Sequence, residues 1–395
     1  MTGQLGVVGA REVNDILGLL PDLEVVADSS IALPQLFILA LGFEDRAPSI
    51  ARCLRTAAND GEKIRRSCLL GVYDTNPLDN ERNRGPIYEA VSEFADHIVT
   101  VNADRPNDVS VAIRREVSVL FGGTRIEVAF DISAASQNYI LSVMSGLSLV
   151  SEKINLTILY TEAAEYFPKK SKFDDDVGAL IEDAVILGDR NVHLEYGVQD
   201  VEGNELYAGI FEEGHPNYVI AIPTFRMARI MRCLNAIGEQ VAGSPIDNVF
   251  WILGRPPALE NSWRADYLLS IVETMIARAS GAVGEECRLS GENSVFCSTL
   301  DYKDVLAEIL KRSDTLIDMN VTVINMGSKM QAIGAALALL SRQEMAVTSA
   351  RPTEYNAAFY SQGEGCKWRL RFAAFDYILA RLGEVSALTY STEQS

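Results

Sequence analysis

Short apolar runs alternate with amphipathic segments along most of the chain. In the first half, the apolar runs are PQLFILALGF, RRSCLLGVYDT, HIVTVNA, RIEVAFDIS and NLTILYTEA. The segments between them, such as APSIARCLRTAA and QNYILSVMSGLSLV, place apolar residues at helical spacing. Continuous apolar strands that alternate with helices are typical of a parallel sheet covered on both faces. The pattern predicts a doubly wound, Rossmann-like α/β fold.

The second half repeats this plan with the apolar runs NYVIAIPTF, DNVFWILGR, SVFCSTL, NVTVINMG and MAVTSARP. We expect the segment KWRLRFAAFDYILARLG to form a closing helix. Between the halves lie an acidic segment, FDDDVGALIEDA, and a hairpin-like segment, HLEYGVQDVEGNELYAGIF. The sequence therefore predicts an N-terminal Rossmann-like domain over residues 1–170, a connector with a β-hairpin over 171–216, and a C-terminal Rossmann-like domain over 217–395.

Four short segments of the first half have matches, in the same order, in the second half. The matched segments are RAPSIARCL with RMARIMRCL, NPLDN with PALEN, DISAASQ with NMGSKMQ, and TEAAEYF with RPTEYNA. They pair Arg46 with Arg226, Asp131 with Asn325, Gln137 with Gln331, and Glu165-Tyr166 with Glu354-Tyr355. Each match lies at the carboxyl end of a predicted strand, so the order and position of the matches favour an internal duplication.

Ligands of open parallel sheets bind beyond the carboxyl ends of the strands. All four matched segments fall there. Two copies packed about a pseudo-twofold axis would bring these loops to one central cleft, an arrangement that suits a ligand with two-fold symmetry or repeated units.

Arg46 and Arg226 each lie between a strand end and a helix start. The positive end of the helix dipole makes an unpaired cation unfavourable there, so we expect an anionic group nearby. Glu44 or Asp45 could supply it in the first half, whereas the second half requires a bound phosphate or a distant carboxylate. A structural ion pair remains an alternative at both positions.

The segments DISAASQ and NMGSKMQ each place small polar residues before a helix whose first-turn amides have no helical acceptor. Ser133, Ser136, Ser328 and Lys329 could line an anion site there, with Lys329 facing a phosphate. The alternative is ordinary N-capping by Ser133 and Ser328.

The Glu-Tyr pairs that follow the last strand of each half could contact a nucleotide. Tyrosine can stack on a base and glutamate can accept a hydrogen bond, or the aromatic ring can simply cover the end of the sheet. Candidate catalytic acids or bases are Asp131, Glu165 and Glu354. The candidate ligand-binding residues are Arg46, Ser133, Ser136, Gln137, Tyr166, Arg226, Asn325, Ser328, Lys329, Gln331 and Tyr355.

Charge and composition narrow the function classes. The 395 residues include 35 Lys and Arg against 54 Asp and Glu, giving a net charge of -19 that disfavours bulk nucleic-acid binding and anionic membranes. Six cysteines without C-x-x-C spacing and three separated histidines predict neither a metal site nor a disulfide framework, and no cofactor is expected. The absence of a signal-peptide pattern and of a long apolar run favours a cytoplasmic protein.

Several motifs carry a resemblance to known families. LALGFEDRA, DISAASQ, YTEAAEYFP, GSKMQAIGAAL and YSQGEG resemble an uncharacterised bacterial family with GFExRA, DISxxS, YTEAxEYYP and GSKMQ motifs, over nearly the full chain. The turns DISAAS and NMGSKM are more distantly similar to those of CRISPR-associated Rossmann-fold sensor domains. That second resemblance implies a cyclic-oligonucleotide cleft at a two-fold interface.

Three functions remain open from the sequence. The first is a nucleotide or cyclic-oligonucleotide sensor that acts with a separate effector protein in bacterial antiviral defence. The second is an enzyme that cleaves a nucleotide or nucleoside bond in the same cleft, including a ring-nuclease-like activity. The third is a scaffold subunit whose matched loops support packing alone.

Overall fold

The structure is a computed structural model that describes residues 13–57, 65–185, 195–196, 198, 201–281 and 287–391. The chain folds into two compact units. The first unit consists of Gly18–Phe167 and Tyr355–Ala380. The second consists of Pro168–Glu354 with the described residues of Met1–Leu17 and Arg381–Ser395. Each unit contains its own large sheet.

The strands are numbered in chain order. They are β1 (Glu24–Val25), β2 (Leu36–Leu41), β3 (Ser67–Val72), β4 (His97–Asn102), β5 (Ile126–Asp131), β6 (Ile154–Thr161), β7 (Glu165–Tyr166), β8 (Glu195–Tyr196), β9 (Val201–Gly203), β10 (Asn217–Ile222), β11 (Val249–Arg255), β12 (Ser294–Ser298), β13 (Asn320–Asn325), β14 (Ala346–Ala350), β15 (Glu354–Tyr355), β16 (Ser361–Gln362) and β17 (Lys367–Phe372).

The α-helices are numbered in the same way. They are α1 (Ser49–Ala57), α2 (Pro77–Val91), α3 (Pro106–Leu120), α4 (Gln137–Ser148), α5 (Lys170–Asp175), α6 (Val177–Val185), α7 (Met227–Ile237), α8 (Glu239–Gly243), α9 (Pro245–Asn248), α10 (Trp263–Ser280), α11 (Tyr302–Ser313), α12 (Lys329–Ser341) and α13 (Phe375–Ser391). Short 3-10 turns occupy Asp28–Ser30, Ser151–Lys153, Glu205–Tyr207, Leu259–Asn261 and Ala357–Phe359.

The sheet of the first unit has the spatial order β1-β17-β6-β5-β2-β3-β4. Strands β2 to β6 run parallel to one another, and the two outer strands β17 and β1 are added in antiparallel pairs. Because β2 is buried along its whole length, it reads as a continuous apolar run rather than an alternating one. This strand occupies the centre of the parallel part, with α1 following it directly.

The sheet of the second unit has the order β12-β11-β10-β13-β14-β9. Strands β10 to β14 are parallel, and β9 pairs antiparallel with β14. Numbered by chain order within each unit, the five parallel strands of both sheets follow the order 3-2-1-4-5. This shared order confirms the predicted fold class of two Rossmann-like domains, and it places a topological switch point between the first and fourth strands of each sheet.

The C-terminal segment differs from the sequence-based expectation. Lys367–Phe372, expected to begin a helix, forms strand β17, which pairs with β6 from Lys367 opposite Thr161 to Phe372 opposite Leu156. Leu370 and Phe372 are buried whereas Arg371 between them is exposed, an alternation with the two-residue period of a strand. The helix α13 begins only at Phe375.

This strand changes how the chain is divided. Tyr355–Ala380 belongs with the first unit, whereas the sequence assigned residues 217–395 to one C-terminal domain. In the connector, β9 pairs with β14 rather than with a neighbour in the expected hairpin. Gly203 ends β9, and Asn204 caps the following 3-10 turn by accepting a hydrogen bond from the backbone N–H of Leu206.

Each unit has an apolar core between its sheet and its helices. In the first unit, Ile50 and Leu54 of α1 pack with Phe37 and Leu39 of β2. In the second, helices α7 and α10 cover one face of the sheet, where Trp251 is fully buried. None of the described helices is both long and apolar enough to cross a membrane.

Candidate functional site

Arg46 follows strand β2 and lies almost entirely inside the first unit, with 2% of its surface exposed. Its Nη2 lies 2.5 Å and its Nε 3.0 Å from Oε2 of Glu44. Its Nη1 donates to the carbonyl oxygen of Thr161 at 2.9 Å and to the hydroxyl of Tyr166 at 3.0 Å, and the Tyr160 hydroxyl lies 3.3 Å away. Glu44 therefore supplies the anionic partner, and protein groups surround this guanidinium.

The electrostatics of this network favour the ion pair. Burial alone would lower the pKa of Arg46, but the Glu44 carboxylate and the tyrosine hydroxyls outweigh that effect, and its pKa is raised. The pKa of Tyr160 is also raised, in this case chiefly by burial. Both tyrosine rings also lie close to the cation, with the guanidinium carbon 5.5 Å from the Tyr160 ring centre and 5.6 Å from that of Tyr166. A buried and charged network of this kind is costly to open.

The YSQGEG segment covers the same end of the first sheet. The hydroxyl of Ser361 donates to Glu44 at 2.6 Å, and the backbone N–H of Gly363 donates to Asp45 at 3.0 Å. Glu364 accepts a hydrogen bond from the hydroxyl of Ser49, the first residue of α1, at 2.6 Å. The loop after β2 is therefore bound by residues from near the other end of the chain.

Asp131 ends strand β5 and is occupied by its neighbours. Its Oδ1 accepts from the backbone N–H of Ser133 at 2.9 Å and from the Ser133 hydroxyl at 2.5 Å. The same hydroxyl accepts from the backbone N–H of Thr161 at 2.8 Å. The residue that caps helix α4 is Ser136, whose hydroxyl accepts from the N–H of Tyr139 at 3.1 Å, so Ser133 is not the cap. Gln137 is the first residue of that helix and is half-buried.

The two Glu-Tyr pairs form the short strands β7 and β15. Glu165 and Glu354 are exposed, whereas Asp131 is buried, so the three candidate acids differ in environment. Tyr166 contacts Arg46, as described above. The backbone of Tyr355 is bound on both sides by Asn76, which donates to its carbonyl oxygen at 2.8 Å and accepts from its N–H at 2.7 Å.

The ring of Tyr355 belongs to an aromatic cluster in the first unit. Its centre lies 5.8 Å from that of Phe43 and 5.5 Å from that of Tyr360, and Phe43 and Tyr360 are 5.5 Å apart. This geometry fits the reading in which the aromatic ring covers a sheet end.

The second unit presents a different picture at the carboxyl edge of its sheet. Arg226 immediately precedes helix α7 and is 7% exposed. Its nearest carboxylate is Asp183 of α6, whose Oδ2 lies 4.0 Å from Nη1, a separation too long for a hydrogen bond. Within the described residues, this buried Nη1 has no hydrogen-bond partner.

In its contact with the fifth parallel strand, Arg229 rather than Arg226 corresponds to Arg46. Nε of Arg229 donates to the carbonyl oxygen of Ala350 at 2.5 Å, and Ala350 is the last residue of the fifth parallel strand, β14. Arg46 makes the same contact with Thr161, the last residue of the fifth parallel strand of the first unit. The identity between RAPSIARCL and RMARIMRCL pairs Arg46 with Arg226 instead, so sequence match and contact point to different arginines.

Asn325 and Gln331 flank the start of helix α12. Asn325 is 2% exposed, and neither its Oδ1 nor its Nδ2 has a hydrogen-bond partner in the described part of the chain. Gln331 is 1% exposed; its Oε1 accepts from the N–H of Ser328 at 2.9 Å, but its Nε2 is likewise unpartnered among these residues. Ser328 caps the helix by accepting from the N–H of Gln331, and Lys329 is the first helical residue.

The two units fill the position of Gln331 differently. Gln331 and Tyr139 are both the third residue of the helix after the fourth parallel strand, and both N–H groups are capped by a serine. Each lies against a glycine of the second strand: a Cβ at Gly71 would lie 2.6 Å from the Tyr139 ring, and one at Gly254 would lie 3.5 Å from the Gln331 amide. The matched pair of Gln137 with Gln331 is therefore displaced by two residues.

This exchange alters the chemistry of the switch point. In the first unit, the Tyr139 ring fills the space and its hydroxyl donates to the carbonyl oxygen of Leu39 at 3.3 Å. In the second unit, the amides of Asn325 and Gln331 leave one acceptor and two donors unpartnered within the described chain. Tyr139 and Gln331 each follow a capping serine by three residues, and this spacing is the sequence signal that could have paired them. No sequence motif indicated Arg229 or Asn76.

The described residues contain no group of three or more His, Cys, Asp or Glu side chains able to hold a metal ion. All the cysteines except Cys366 are buried. Burial raises the pKa of Cys53 to about 11 and those of Cys233 and Cys297 to about 12, so these thiols are protonated at neutral pH.

Comparison with known proteins gives matches among solved structures alone. No family model matches the sequence, and no curated protein matches it. Among solved structures, the chain is similar to the cytoplasmic domain of a prokaryotic cation chloride cotransporter, with 9% sequence identity and a TM-score of 0.21 over 83% of this chain and 99% of that one. A similarity of that size carries no argument about function.

Proposed function

We propose that the chain binds a nucleotide-like ligand at the carboxyl edge of the second unit's sheet and acts as a sensor with a separate effector protein. The observation that carries this proposal is a set of buried polar atoms without hydrogen-bond partners among the described residues: Nη1 of Arg226, both amide atoms of Asn325 and Nε2 of Gln331. Buried polar groups are normally hydrogen-bonded, so such a set calls for an explanation.

The position of these atoms supports a ligand site. Asn325 ends β13 and lies opposite Ile222, the last residue of β10, so it marks the switch point between the first and fourth parallel strands. Ligands of open α/β sheets bind in the crevice at that point. Arg226 precedes the helix that follows β10, where first-turn amides and an arginine fork together suit a phosphate.

The two kinds of group suit two parts of one ligand. An amide side chain offers a donor and an acceptor side by side, which complements the hydrogen-bonding edge of a nucleobase. Lys329 and the start of α12 add positive potential to the same sheet edge. A phosphate near Arg226 and a polar base near Asn325 and Gln331 would partner the four buried atoms of this set.

The first unit is the weaker candidate for the same role. Arg46 and Asp131 are both hydrogen-bonded to protein groups, and opening either site would break a buried network. Glu165 and Glu354 are exposed, and Oδ1 of the buried Asp131 is already hydrogen-bonded to Ser133. Both observations favour binding over acid-base catalysis. The resemblance to CRISPR-associated Rossmann-fold sensors supports a cyclic oligonucleotide as the ligand and bacterial antiviral defence as the setting.

The test is calorimetric titration of the full chain with nucleoside mono-, di- and triphosphates and a set of cyclic oligonucleotides. Arg226→Met should lower the affinity for the ligand by about tenfold to 100-fold, because a charged hydrogen bond contributes about 1.5–3 kcal/mol. Arg232→Met is the matched control, since Arg232 is exposed on the same helix.

Three outcomes decide between the functions. Binding that Arg226→Met and Asn325→Ala weaken and Arg232→Met leaves unchanged supports the site. No binding by any member of the panel, with the chain folded by circular dichroism, rejects the proposal and favours a scaffold. Mass spectrometry of the bound ligand after incubation distinguishes a sensor, which returns it intact, from an enzyme, which returns cleaved products.

A further inference from the structure

The second unit contains a pocket at the amino-terminal edge of its sheet, the edge opposite the candidate nucleotide site. The pocket has a volume of about 110 Å³. It lies where helix α11 ends, where α12 ends and where strand β13 begins, and its lining includes Glu212, Asp314, Arg342 and Glu344.

One wall of this pocket is a strap, residues 209–215, held at both ends. At one end Gly209 has φ +68°, and a Cβ there would lie 2.5 Å from the backbone nitrogen of Ala346, so the chain passes too closely for a side chain. At the other end Asn320 uses its whole amide on the strap: it donates to the carbonyl oxygens of Glu212 and His215 at 3.0 and 2.9 Å and accepts from the Glu212 N–H at 2.8 Å. This wall of the pocket is therefore fixed at both ends by specific contacts.

The lining combines apolar surface with negative charge. The apolar lining residues include Leu316, Met319 and Met345, and Met345 is fully buried. Among charged lining groups, Glu212, Asp314 and Glu344 face one permanent cation, Arg342. Helices α11 and α12 make the potential in the pocket more negative, because the negative C-terminal ends of both helix dipoles lie there.

The cation is already engaged. The Arg342 side chain is 3% exposed, pairs with Asp314, and donates from Nε to the hydroxyl of Ser313 at 3.0 Å. Its Nε lies 4.0 Å from Glu344, and the His215 ring lies 3.5 Å from Glu212. Arg342 makes its shortest ion pair with Asp314. Glu344 and Glu212 have only these longer contacts and are more exposed than Asp314, so they are the lining carboxylates best placed to take a further positive group.

The basic residues in the last turn of α11 do not change this balance, because they are bound away from the pocket. Lys311 pairs with Glu308 at 2.7 Å, and Arg312 donates to the carbonyl oxygen of Glu292 at 3.1 Å. Neither contributes to the lining.

We infer that this pocket binds a primary alkylammonium group, with its alkyl part against Leu316, Met319 and Met345 and its ammonium at Glu344 and Glu212. The volume supports that size: a cavity of about 150 Å³ holds benzene, so a cavity of this volume holds about four or five non-hydrogen atoms. The group is either a free amine or the end of a lysine side chain from another protein, and it binds independently of the nucleotide-like ligand proposed above.

The probe is n-butylammonium, titrated into the full chain by calorimetry and by protein-observed NMR. We expect saturable binding of n-butylammonium, with n-butanol weaker by about tenfold and n-butyrate absent, because only the cation complements the carboxylates. Nα-acetyl-lysine amide, compared with the free amine, identifies the source: tighter binding of the blocked lysine indicates a partner's side chain, and tighter binding of the amine indicates a metabolite.

Two variants locate the site. Glu344→Gln should lower the affinity for n-butylammonium by about tenfold. Glu213→Gln is the control and should leave this affinity unchanged, because Glu213 is exposed next to Glu212 but does not line the pocket. Gly209→Ala, which moves the strap, should weaken the probe while retaining the circular dichroism spectrum. Equal binding of the butyrate and the ammonium, no saturable binding, or no effect of Glu344→Gln would overturn the inference.

Discussion

The sharpest consequence of the structure concerns Asn325. Replacing a buried residue usually destabilises a fold, but this side chain carries two buried polar atoms that have no partner in the described chain. Asn325→Ala removes both atoms at once and leaves strand β13 otherwise unchanged. We expect the variant to have a more stable second unit in the absence of ligand and a lower affinity for the ligand.

The magnitude follows from two opposing terms. An unpartnered buried polar group costs about 1–3 kcal/mol, so removal of two such atoms should contribute at least about 2 kcal/mol. The void left by the amide is comparable to one water, ~30 Å³. At about 24 cal/mol per Å³ of cavity, this void costs roughly 0.7 kcal/mol. The net expectation is a gain of about 1 kcal/mol or more in the free energy of unfolding.

The assay uses the distribution of the three tryptophans. Trp251 and Trp263 lie in the second unit and Trp368 lies in the first, so Trp368→Phe gives a chain whose tryptophan fluorescence reports the second unit alone. Urea titration of this chain, with and without Asn325→Ala, measures the change in free energy. The same pair is then titrated with the nucleotide that binds best.

The matched control is Asp131→Ala in the first unit, where the equivalent strand end is satisfied. This change leaves the buried N–H and hydroxyl of Ser133 without their acceptor and should cost roughly 2 kcal/mol or more in the unfolding of the first unit. Trp368 reports that transition in a chain with Trp251→Phe and Trp263→Phe. The two variants should therefore shift stability in opposite directions. A loss of stability above about 1 kcal/mol in Asn325→Ala would show that its amide is satisfied, and our reasoning about the second unit would be refuted.

Three further predictions test the fold. Gly71→Ala should destabilise the first unit by about 1–3 kcal/mol, because its Cβ would meet a ring at 2.6 Å, whereas Gly85→Ala in α2, with open space around its Cβ, should not; calorimetric scans of the two variants give the comparison. Leu370→Ala should cost about 2–5 kcal/mol in the first unit's urea transition although Leu370 is close to the C-terminus in sequence, and a selective shift of the Trp251 and Trp263 signal would contradict the assignment of β17. At pH 8 a thiol reagent should modify one cysteine per native chain, and Cys366→Ser should abolish that reaction; labelling of more than one thiol before unfolding would argue against burial of the others.

The parallel sheets were predictable because the physical signal is local. A buried parallel strand reads as an apolar run, and such runs mark β2 and β10 without reference to anything distant in the chain. Strand β17 carried a local signal too, since K-W-R-L-R-F alternates in the two-residue period of a strand. What the sequence could not show is its partner, because pairing of Lys367 with Thr161 is set by contacts across the whole chain.

The candidate site was less predictable because long side chains at different sequence positions can make the same contact. Arg46 lies three residues before its helix begins at Ser49, whereas Arg226 lies one residue before Met227. The loops thus differ in length, and a long side chain from within the helix, Arg229, meets the carbonyl oxygen that Arg46 reaches from the loop in the first unit. Identity of sequence at Arg226 is therefore a poor guide to equivalence of contact.

The two units differ in how the polar groups at their switch points are used. At the switch point, the first unit pairs Asp131 with Ser133 and fills the adjoining space with the Tyr139 ring, so both side chains are hydrogen-bonded there. The second unit instead keeps Asn325 and Gln331, whose unpartnered atoms cost several kcal/mol against a typical total stability of about 5–15 kcal/mol. A cost of that size is expected to persist only where the polar groups are used, because apolar substitutions that remove it are readily accessible. Under the proposed function, the first unit contributes stability and the second contributes recognition, so we expect a stoichiometry of one ligand per chain.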